Sequence, residues 1–290
     1  MELRESFPQI EVRAVVGDVT DVDGVKAVFR ACAPQLIFHA AAHKHVPLME
    51  HNEREAVRNN IFGTRVVTSA AREAGVERFV LISTDKAVNP SNVMGATKRV
   101  AEYTVQAMNG ADATRFTVVR FGNVLGSNGS VVPLFTEQIR KGGPVTVTHP
   151  DIKRYFMTIP EAVQLILQAS VRGQGGDVYV LDMGEQIRVA DLARNMIVLS
   201  GLVPDRDIKI TFTGLRAGEK LYEELFEQGE QIEPTSHDKI KRVIGDRVFE
   251  PDDLARRLEQ LEASLSRPDQ AALVAQLKEL VPTYVPARNN

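Results

Sequence analysis

The stretch "RFVLISTDKAVNPSNVMGATK", residues 78–98, decides the fold. It opens with an apolar run typical of a buried strand and continues through the polar cluster Ser83–Lys86 and an Asn-Pro turn into a helical segment. Similar runs rich in Val, Ile and Phe recur along the chain. We predict strands at residues 12–18, 36–42, 78–84, 115–124 and 177–183, and helices at residues 21–32, 53–74 and 96–108.

Alternation of short apolar strands with helices predicts an α/β fold with a doubly wound parallel sheet, because right-handed crossovers place a helix between neighbouring parallel strands. Residues 1–125 are expected to form part of a dinucleotide-binding domain. Residues 126–290 are expected to form a smaller substrate-side lobe interleaved with the last strands. The end of the chain, residues 251–280, has the spacing of one or two amphipathic helices.

Composition excludes several classes of protein. The chain has 290 residues, a formal net charge of -3 and a single cysteine, Cys32. The charge argues against a nucleic-acid partner, and the lone cysteine favours a reducing compartment. No apolar run approaches the roughly 18 residues that a membrane helix needs, and the first residues lack the apolar centre of a secretion signal. We therefore predict a soluble, cytoplasmic chain.

A glycine-rich phosphate-binding turn is missing from the sequence. Dinucleotide-binding folds open with a strand followed by G-x-G-x-x-G, whose glycines let backbone amides approach a pyrophosphate. The segment "GQGGD" at residues 173–177 lacks the last glycine and follows a predicted helix. We expect the chain to begin inside the fold, after that turn.

Small or polar residues follow three successive predicted strands, at Gly17 and Asp18, at residues 40–45, and at residues 83–86. In open α/β sheets ligands bind at the carboxyl ends of the strands. The alternative is that these clusters are ordinary turns. Their coincidence at three strand ends favours a binding site.

Several motifs together resemble one family. They are "GDVTD", "HAAAHKHVPLME", "NNIFGT", "STDKAVNPSNVMGATK", "RFGNVLGSNGSVVPLF", "KRYFMTIPEA" and "GLRAGEKLYEEL". The set resembles the polysaccharide-biosynthesis branch of the extended short-chain dehydrogenase/reductases, the nucleotide-sugar 4,6-dehydratases that act on UDP-N-acetylglucosamine. The resemblance runs from about residue 12 to at least residue 225. It implies a Rossmann-like fold, NAD as cofactor and a UDP-sugar as substrate.

The resemblance also implies a chemistry. NAD would take a hydride from C4 of the sugar, a base would remove the C5 proton, an acid would help the C6 hydroxyl leave, and the hydride would return to C6. The family pattern has a tyrosine four residues before Lys98, where this sequence has Met94, which carries no proton. The candidates for proton transfer are the hydroxyls of Ser83 and Thr84, the carboxylate of Asp85 and the amine of Lys86, and of these we expect Ser83, Asp85 and Lys86 to take part. Asp85 would be the acid, and Lys86 the base with a lowered pKa.

The same likeness assigns the binding residues. Cofactor contacts are expected from Asp18, Val19, Ala40, Ala41, Ala42, Asn60 and Lys98. Substrate contacts are expected from Lys44, His45, Asn123, Ser127, Asn128, Ser130, Arg154, Arg216 and Glu219. The resemblance implies that Asn60 supports the active-site backbone, and its other interpretation is a polar residue inside a helix. Isolated arginines are commonly solvated surface groups, and we rank Arg216 above Arg154.

Other interpretations stay open. His39, His43, His45 and His51 lie close to Glu50 in the sequence, but their spacing matches no compact ligand pattern, and we expect no metal. The chain could also be a truncated remnant that binds UDP-sugars without turnover, or a nucleotide-sugar 4-epimerase, which Met94 argues against. We expect a homo-oligomer, with membrane association only through segments outside this chain.

Overall fold

The computed structural model describes residues 2–110, 113–244, 249–266 and 269–286. The α-helices are α1 (Glu2–Ser6), α2 (Val22–Cys32), α3 (Val46–Met49), α4 (Glu53–Val57), α5 (Thr64–Glu73), α6 (Val93–Ala107), α7 (Val131–Arg140), α8 (Ile159–Arg172), α9 (Val189–Leu199), α10 (Pro251–Ser264) and α11 (Gln270–Leu280). The strands are β1 (Leu36–His39), β2 (Arg78–Ile82), β3 (Arg115–Arg120), β4 (Asn123–Val124), β5 (Val145–Val147), β6 (Lys153–Arg154), β7 (Phe156–Met157), β8 (Asp177–Leu181), β9 (Ile187–Arg188), β10 (Ile210–Phe212), β11 (Gln231–Pro234) and β12 (Ile240–Ile244).

The main sheet has the strand order β1-β2-β3-β8-β12-β11. The first four strands are parallel, and β12 and β11 add to β8 in antiparallel fashion. Side chains alternate across the sheet: Phe79 and Leu81 face a core shared with α5 and α6, whereas Val80 faces a core shared with α8. Helices therefore cover both faces, and the predicted doubly wound α/β fold is confirmed.

The strand predicted at residues 12–18 is wrong. These residues have no regular secondary structure, and Val16 is fully exposed while Val15 is 59% exposed. A run of valines favours a strand only where a neighbouring edge offers backbone partners. Within the described residues, the edge strand β1 pairs only with β2, so the segment lies beside no partner strand.

The predicted helix over residues 53–74 is three segments. The π-helical stretch Arg58–Gly63 separates α4 from α5. Such stretches in α-helices occur frequently at functional sites. Here the interruption contains Asn60, whose fully buried side chain bonds to two other parts of the chain.

The second half of the chain builds a smaller lobe and also returns to the main sheet. The lobe consists of α7 and α9 with the strand pair β5 and β10, around a core that includes Phe135, Ile197 and Ile208. The strands β8, β12 and β11 belong to the main sheet. The boundary drawn at residue 125 stays a prediction.

Two helices, α10 and α11, form the predicted C-terminal region. Leu258 and Leu277 lie in the same core as Val100 of α6, and the following Tyr284 is 1% exposed. In the part of the chain that the structure describes, no helix is both long and apolar enough to cross a bilayer.

Candidate active site

A cavity of about 510 Å³ lies at the carboxyl ends of β1, β2 and β3 and extends to the smaller lobe. Fourteen of the residues predicted for the site line it: Ala40, Ala42, Lys44, His45, Ser83, Lys86, Met94, Lys98, Asn123, Ser127, Ser130, Arg154, Arg216 and Glu219. The sheet topology explains this convergence, because parallel strands end at one edge.

Six predicted residues do not line the cavity: Asp18, Val19, Ala41, Asn60, Asp85 and Asn128. Asp18 is exposed, and its carboxylate accepts hydrogen bonds from the backbone and hydroxyl of Thr20, which lower the pKa of Asp18. Val19 packs on Gly63 and the core beside the sheet. Asn128 is exposed, because the loop around Gly129 directs its neighbours Ser127 and Ser130 to the cavity.

The segment after β2 is held in extended register with the end of β3. Ser83 N donates to Val119 O at 2.8 Å, and Asp85 N donates to Phe121 O at 3.0 Å. A 3₁₀ turn, Asp85–Ala87, then begins with Thr84 as its cap. These two backbone hydrogen bonds to the end of β3 therefore fix the backbone of the predicted catalytic cluster, independently of its side chains.

Helix α6 places Met94 and Lys98 one turn apart on the cavity face. Its N-cap is Asn92, whose side chain accepts from Gly95 N at 2.7 Å, and Glu50 accepts from Val93 N at 2.6 Å. Both contacts use backbone N–H groups that a helix start leaves without partners. The cap therefore fixes the orientation of the helix face.

Lys86 is the centre of a polar cluster. Its Nζ lies 2.9 Å from Asp85 Oδ1, 3.1 Å from Asn123 Oδ1 and 3.7 Å from Glu223 Oε1. An ammonium group has three hydrogens and no acceptor, so these three oxygens match it.

The expectation of a lowered pKa for Lys86 is wrong. Burial by itself lowers the pKa of this amine, but the carboxylates of Asp85 and Glu223 outweigh burial and the opposing charge of Arg154, and the pKa is raised. Lys86 is therefore an ammonium ion in the structure. It can act as a base only after it has lost a proton.

Ser83 is a poorer proton carrier than expected. Its hydroxyl donates to Glu102 Oε1 at 2.5 Å, away from Asp85. The neighbouring Thr84 hydroxyl lines the cavity and donates to Asp85 Oδ1 at 2.9 Å. The hydroxyl next to the acid is therefore that of Thr84.

Glu102 is part of a buried charge network beneath the site. It pairs with Arg99 at 2.9 Å and with Arg120 at 2.8 Å, and Arg120 continues to Glu230 at 3.1 Å. These four side chains are each at most 6% exposed. Because Ser83 bonds to Glu102, the network joins the end of β2 to α6 and β3.

Asp85 is buried behind the cavity lining, beside Lys86 and Gly122. The residue is fully buried, and its Oδ2 atom has no hydrogen-bond partner in the described part of the protein. Gly122 lines the cavity, and a Cβ atom on it would come within 3.0 Å of Asp85 Oδ2. Gly122 therefore leaves space for this buried oxygen directly behind the cavity lining.

Lys98 has the character of a perturbed functional amine. Its Nζ donates to Ile82 O at 2.8 Å, and the residue is 5% exposed. Burial lowers the pKa of Lys98 to about 8, although the Glu102 carboxylate acts in the opposite direction. Perturbed amines in clefts are candidate functional groups.

Asn60 supports the loop that follows β1. Its amide accepts from His43 N at 2.7 Å, donates to His43 O at 3.1 Å, and donates to Thr97 Oγ1 at 3.0 Å. It therefore joins the cavity loop to α6 without lining the cavity. Of its two interpretations, backbone support accounts for these contacts.

The loop after β1 carries Lys44 and His45 to the cavity. His45 packs against Gly129, where a Cβ atom would come within 2.2 Å of the His45 ring, and Gly129 has a φ of +71°. Only glycine fits this approach without strain. Across the described ranges, no cluster of three His, Cys, Asp or Glu side chains could hold a metal ion.

The two arginines predicted to bind substrate, Arg154 and Arg216, differ in how free their side chains are to bind a ligand. Arg154 is 6% exposed, and its Nη atoms bond to Glu219 and to three carbonyl oxygens, those of Lys153, Lys220 and Leu221. Its Nε lies 3.7 Å from Glu223 Oε1. Arg216 is exposed, and neither its side chain nor that of Lys44 has an ion-pair partner among the described residues. Arg216 and Lys44 are therefore the cations available to an anionic ligand, consistent with the ranking of Arg216.

Among the polar side chains of the cavity, sequence reasoning missed Asn92 and Glu223, and it named the Thr84 hydroxyl as a candidate but preferred that of Ser83. Thr84 is in the quoted motif beside Asp85, and only the direction of its side chain distinguishes it from Ser83. Glu223 is in "GLRAGEKLYEEL", but nothing in the local pattern separates it from its exposed neighbour Glu224.

Residues 1–244 match the family model described as "Polysaccharide biosynthesis protein". The chain is 56% identical over 235 residues to the capsular polysaccharide biosynthesis protein CapD of Staphylococcus aureus, covering 81% of this chain and 39% of that protein. It is 37% identical to a UDP-N-acetylglucosamine 4,6-dehydratase (inverting) of Campylobacter jejuni and 37% identical to a UDP-glucose 4-epimerase of Rickettsia canadensis, each covering 77% of this chain and 64% of the other. The chain thus spans about two fifths of the length of the first of these relatives.

Solved structures share the fold. The X-ray structure of Pen from Bacillus thuringiensis is 36% identical with a TM-score of 0.75, covering 83% of this chain and 75% of that one. A dTDP-glucose 4,6-dehydratase from Streptomyces venezuelae, solved with NAD bound, has a TM-score of 0.69 at 20% identity, covering 77% of this chain and 73% of that one. On the extent of the family match, the chain belongs to the polysaccharide biosynthesis protein family.

Proposed function

We propose that this chain carries the acid–base and sugar-binding part of an NAD-dependent nucleotide-sugar 4,6-dehydratase. The reaction would convert UDP-N-acetylglucosamine to a 4-keto-6-deoxy sugar for surface polysaccharide biosynthesis. The observation that carries the proposal is the Asp85–Lys86 pair at the cavity, with a 2.9 Å contact between a carboxylate and an amine. Elimination of water needs one acid and one base on adjacent carbons, and this pair supplies both.

NAD is the cofactor that we propose, and the residues fit its nicotinamide and ribose half. Lys98 offers a buried amine at the cavity wall, and Ala40 and Ala42 leave room beside it because their side chains are small. The solved relative that holds NAD has the same fold. Bound NAD would supply hydride removal from C4 and hydride return to C6.

Thr84 is the group that we assign to the C4 hydroxyl. Its Oγ1 accepts the C4 hydroxyl proton as its own proton moves to Asp85 Oδ1, which is 2.9 Å away. Met94 lines the cavity without taking part in proton transfer. Oxidation at C4 therefore protonates Asp85, and the elimination later uses that proton.

The elimination then uses the pair. The neutral Lys86 amine removes the C5 proton, the electrons of the C5–H bond form the C5–C6 double bond, and the C6–O bond breaks. Asp85 gives its proton to the departing oxygen, which leaves as water. Asp85 Oδ2 is buried, has no hydrogen-bond partner among the described residues and lies beside Gly122 of the cavity lining, so we assign that proton transfer to this atom. When the double bond is reduced at C6, the Lys86 ammonium group returns the proton to C5, and the C5–H bond forms again.

The diphosphate of the substrate is assigned to the available cations of the cavity, Arg216 and Lys44. Arginine binds phosphate oxygens in a bidentate way. Asn123, Ser127 and Ser130 offer amide and hydroxyl groups to the sugar from the same side. The cytoplasmic location and the homo-oligomer stay predictions.

The first alternative, a 4-epimerase, agrees with the name of one relative. It makes no use of Asp85 and Lys86 as an eliminating pair, and Met94 offers no phenol to C4. The second alternative is a sugar-nucleotide-binding chain without turnover. Both alternatives leave the C6 hydroxyl in place, whereas a dehydratase removes it as water.

The test is mass spectrometry of UDP-N-acetylglucosamine incubated with the protein and NAD. We expect a product that has lost one water, and no such product from Asp85→Asn, which keeps the shape of the side chain. An isomerised sugar of unchanged mass would favour the epimerase. An unchanged sugar together with measurable UDP-sugar binding would favour the binding chain.

A further inference from the structure

Glu223 is a cavity residue that neither elimination nor phosphate binding has used. It is 5% exposed, lies on the segment after Glu219 and lines the cavity. Carboxylates are rarely buried without a charge partner. Glu223 has two such partners, since its Oε1 lies 3.7 Å from Lys86 Nζ and 3.7 Å from Arg154 Nε.

Lys86 enters the reaction in the wrong protonation state for a base. Its three hydrogens face Asp85, Asn123 and Glu223, so no lone pair is available to a C–H proton. The amine must first lose a proton to a nearby acceptor. Two titratable carboxylates face it in the described structure, those of Asp85 and Glu223, while Arg154 faces it with a positive charge.

Asp85 is the poorer of the two acceptors during turnover. In the proposed function, on which this inference rests, Asp85 receives the C4 proton through Thr84 and must keep it for the C6 oxygen. A protonated Asp85 no longer attracts the ammonium group, and the raised pKa of Lys86 loses one of its causes. Glu223 is then the remaining carboxylate beside Lys86.

We propose that Glu223 acts through Lys86 as a positioning residue: it holds the ammonium group beside Asp85 and accepts the proton that the amine must lose before it removes the C5 proton. The Nζ–H bond breaks and an Oε1–H bond forms, so an ion pair becomes a neutral pair with no change of net charge. A buried cavity favours this change, because separated charges are poorly solvated there. The 3.7 Å gap must close for the transfer, as catalytic contacts often do when substrate binds.

Arg154 positions the carboxylate of Glu223. Its Nη atoms are bonded to Glu219 and to backbone carbonyls, so its guanidinium is fixed and only Nε points to Glu223. Asn123 holds Lys86 from another side at 3.1 Å. Arg154 therefore holds Glu223 near Lys86, while its own positive charge opposes the raised pKa of Lys86.

The first test measures the titration of Lys86 without any reaction. Competitive acetylation with acetic anhydride over a range of pH, read by peptide mass spectrometry, would compare the parent chain with Glu223→Gln. We expect the half-titration pH of Lys86 to fall by about one unit, which is about tenfold faster labelling on the rising limb. The matched control is Glu224→Gln, because the Glu224 side chain is 50% exposed and pairs with Lys220. Equal titration of Lys86 in the parent and Glu223→Gln would overturn the proposal.

The second test uses turnover. Glu223→Gln should lower kcat by about a hundredfold, the scale of a lost proton-transfer group, with KM for the UDP-sugar changed less than about threefold. Glu223→Asp, which keeps a carboxylate, should recover part of kcat. A rise in KM with kcat unchanged would make Glu223 a substrate ligand and overturn the proposal. The labelling result does not depend on the reaction. A protein without dehydratase activity would therefore refute the proposed function, and the first test alone would then decide whether Glu223 acts on Lys86.

Discussion

Gly95 of α6 lies directly against the carbonyl oxygen of Lys86: a Cβ atom added to Gly95 would come within 2.1 Å of that oxygen. This contact lets the first turn of the helix touch the 3₁₀ turn that carries the acid–base pair. The positions of Lys86 and of Met94 are therefore coupled through the backbone, and a side chain at residue 95 would separate them.

Gly95→Ala should destabilise the protein and impair the site together. The added methyl would clash with the backbone of Lys86 and approach the Asn92 side chain, so we expect a loss of about 2 kcal/mol in the free energy of unfolding. Urea denaturation gives this value. The control is Gly110→Ala, since a Cβ atom at Gly110 meets nothing within 4 Å. Equal stability of the two variants would contradict the close contact.

Met94→Leu should leave the proposed activity nearly intact, because a thioether carries no proton and leucine has a similar volume. Thr84→Val, which removes the hydroxyl beside Asp85, should lower kcat by about a hundredfold. Product formation from UDP-N-acetylglucosamine measures both. A loss of activity in Met94→Leu as large as that in Thr84→Val would show that the methionine has a role in the chemistry.

Lys98 should make stability rise with pH in alkaline solution. Burial lowers its pKa to about 8 from the value of 10.5, so between these two values the unfolded chain binds more protons than the folded one. In that window stability increases with pH by about 1.4 kcal/mol per unit, and the gain is lost as pH falls through the folded pKa. Lys98→Met should abolish this rise, and the exposed Lys278→Met should keep it. Chemical denaturation across that range decides between them.

His39 should make the protein sensitive to acid. Burial, with a contribution from the charge of Lys98, lowers the pKa of His39 from 6.5 to about 3, while its Nε2 lies 3.0 Å from Thr64 Oγ1. Below pH 6.5 the unfolded chain gains a proton that the folded chain does not, so stability falls by about 1.4 kcal/mol per pH unit. His39→Gln should weaken this acid dependence, unlike His51→Gln at the surface. The same slope in both variants would contradict the prediction.

Glu102→Ala should be severely destabilising. Glu102 is the carboxylate between two buried arginines, Arg99 and Arg120, and its removal leaves positive charge in the interior. We expect a loss of about 3 to 5 kcal/mol, measured by denaturation. The exposed Glu259→Ala should change stability by less than about 0.5 kcal/mol. A small effect of Glu102→Ala would mean that the rest of the network compensates.

Local patterns in the sequence determined the strands β1, β2, β3 and β8, the C-terminal helices and the convergence of the site. Apolar runs and helical periodicity are encoded over a few residues, and parallel strands bring their ends to one edge. The four-residue spacing placed Met94 and Lys98 on one helix face, and the structure keeps it.

Tertiary structure alone decided the rest. Residues 12–18 have strand-forming side chains, but a strand also needs a neighbouring edge, and the described chain provides none for them. Burial lowers the pKa of Lys86, and the carboxylates that raise it include Glu223, which lies far away in the sequence. Ser83 and Thr84 are neighbouring hydroxyl residues that the sequence does not distinguish. In the structure, backbone pairing with the end of β3 orients Ser83 so that its hydroxyl bonds to Glu102, whereas the Thr84 hydroxyl bonds to Asp85. Charges and hydrogen bonds between distant segments act only after folding has brought those segments together, so no local pattern contains them.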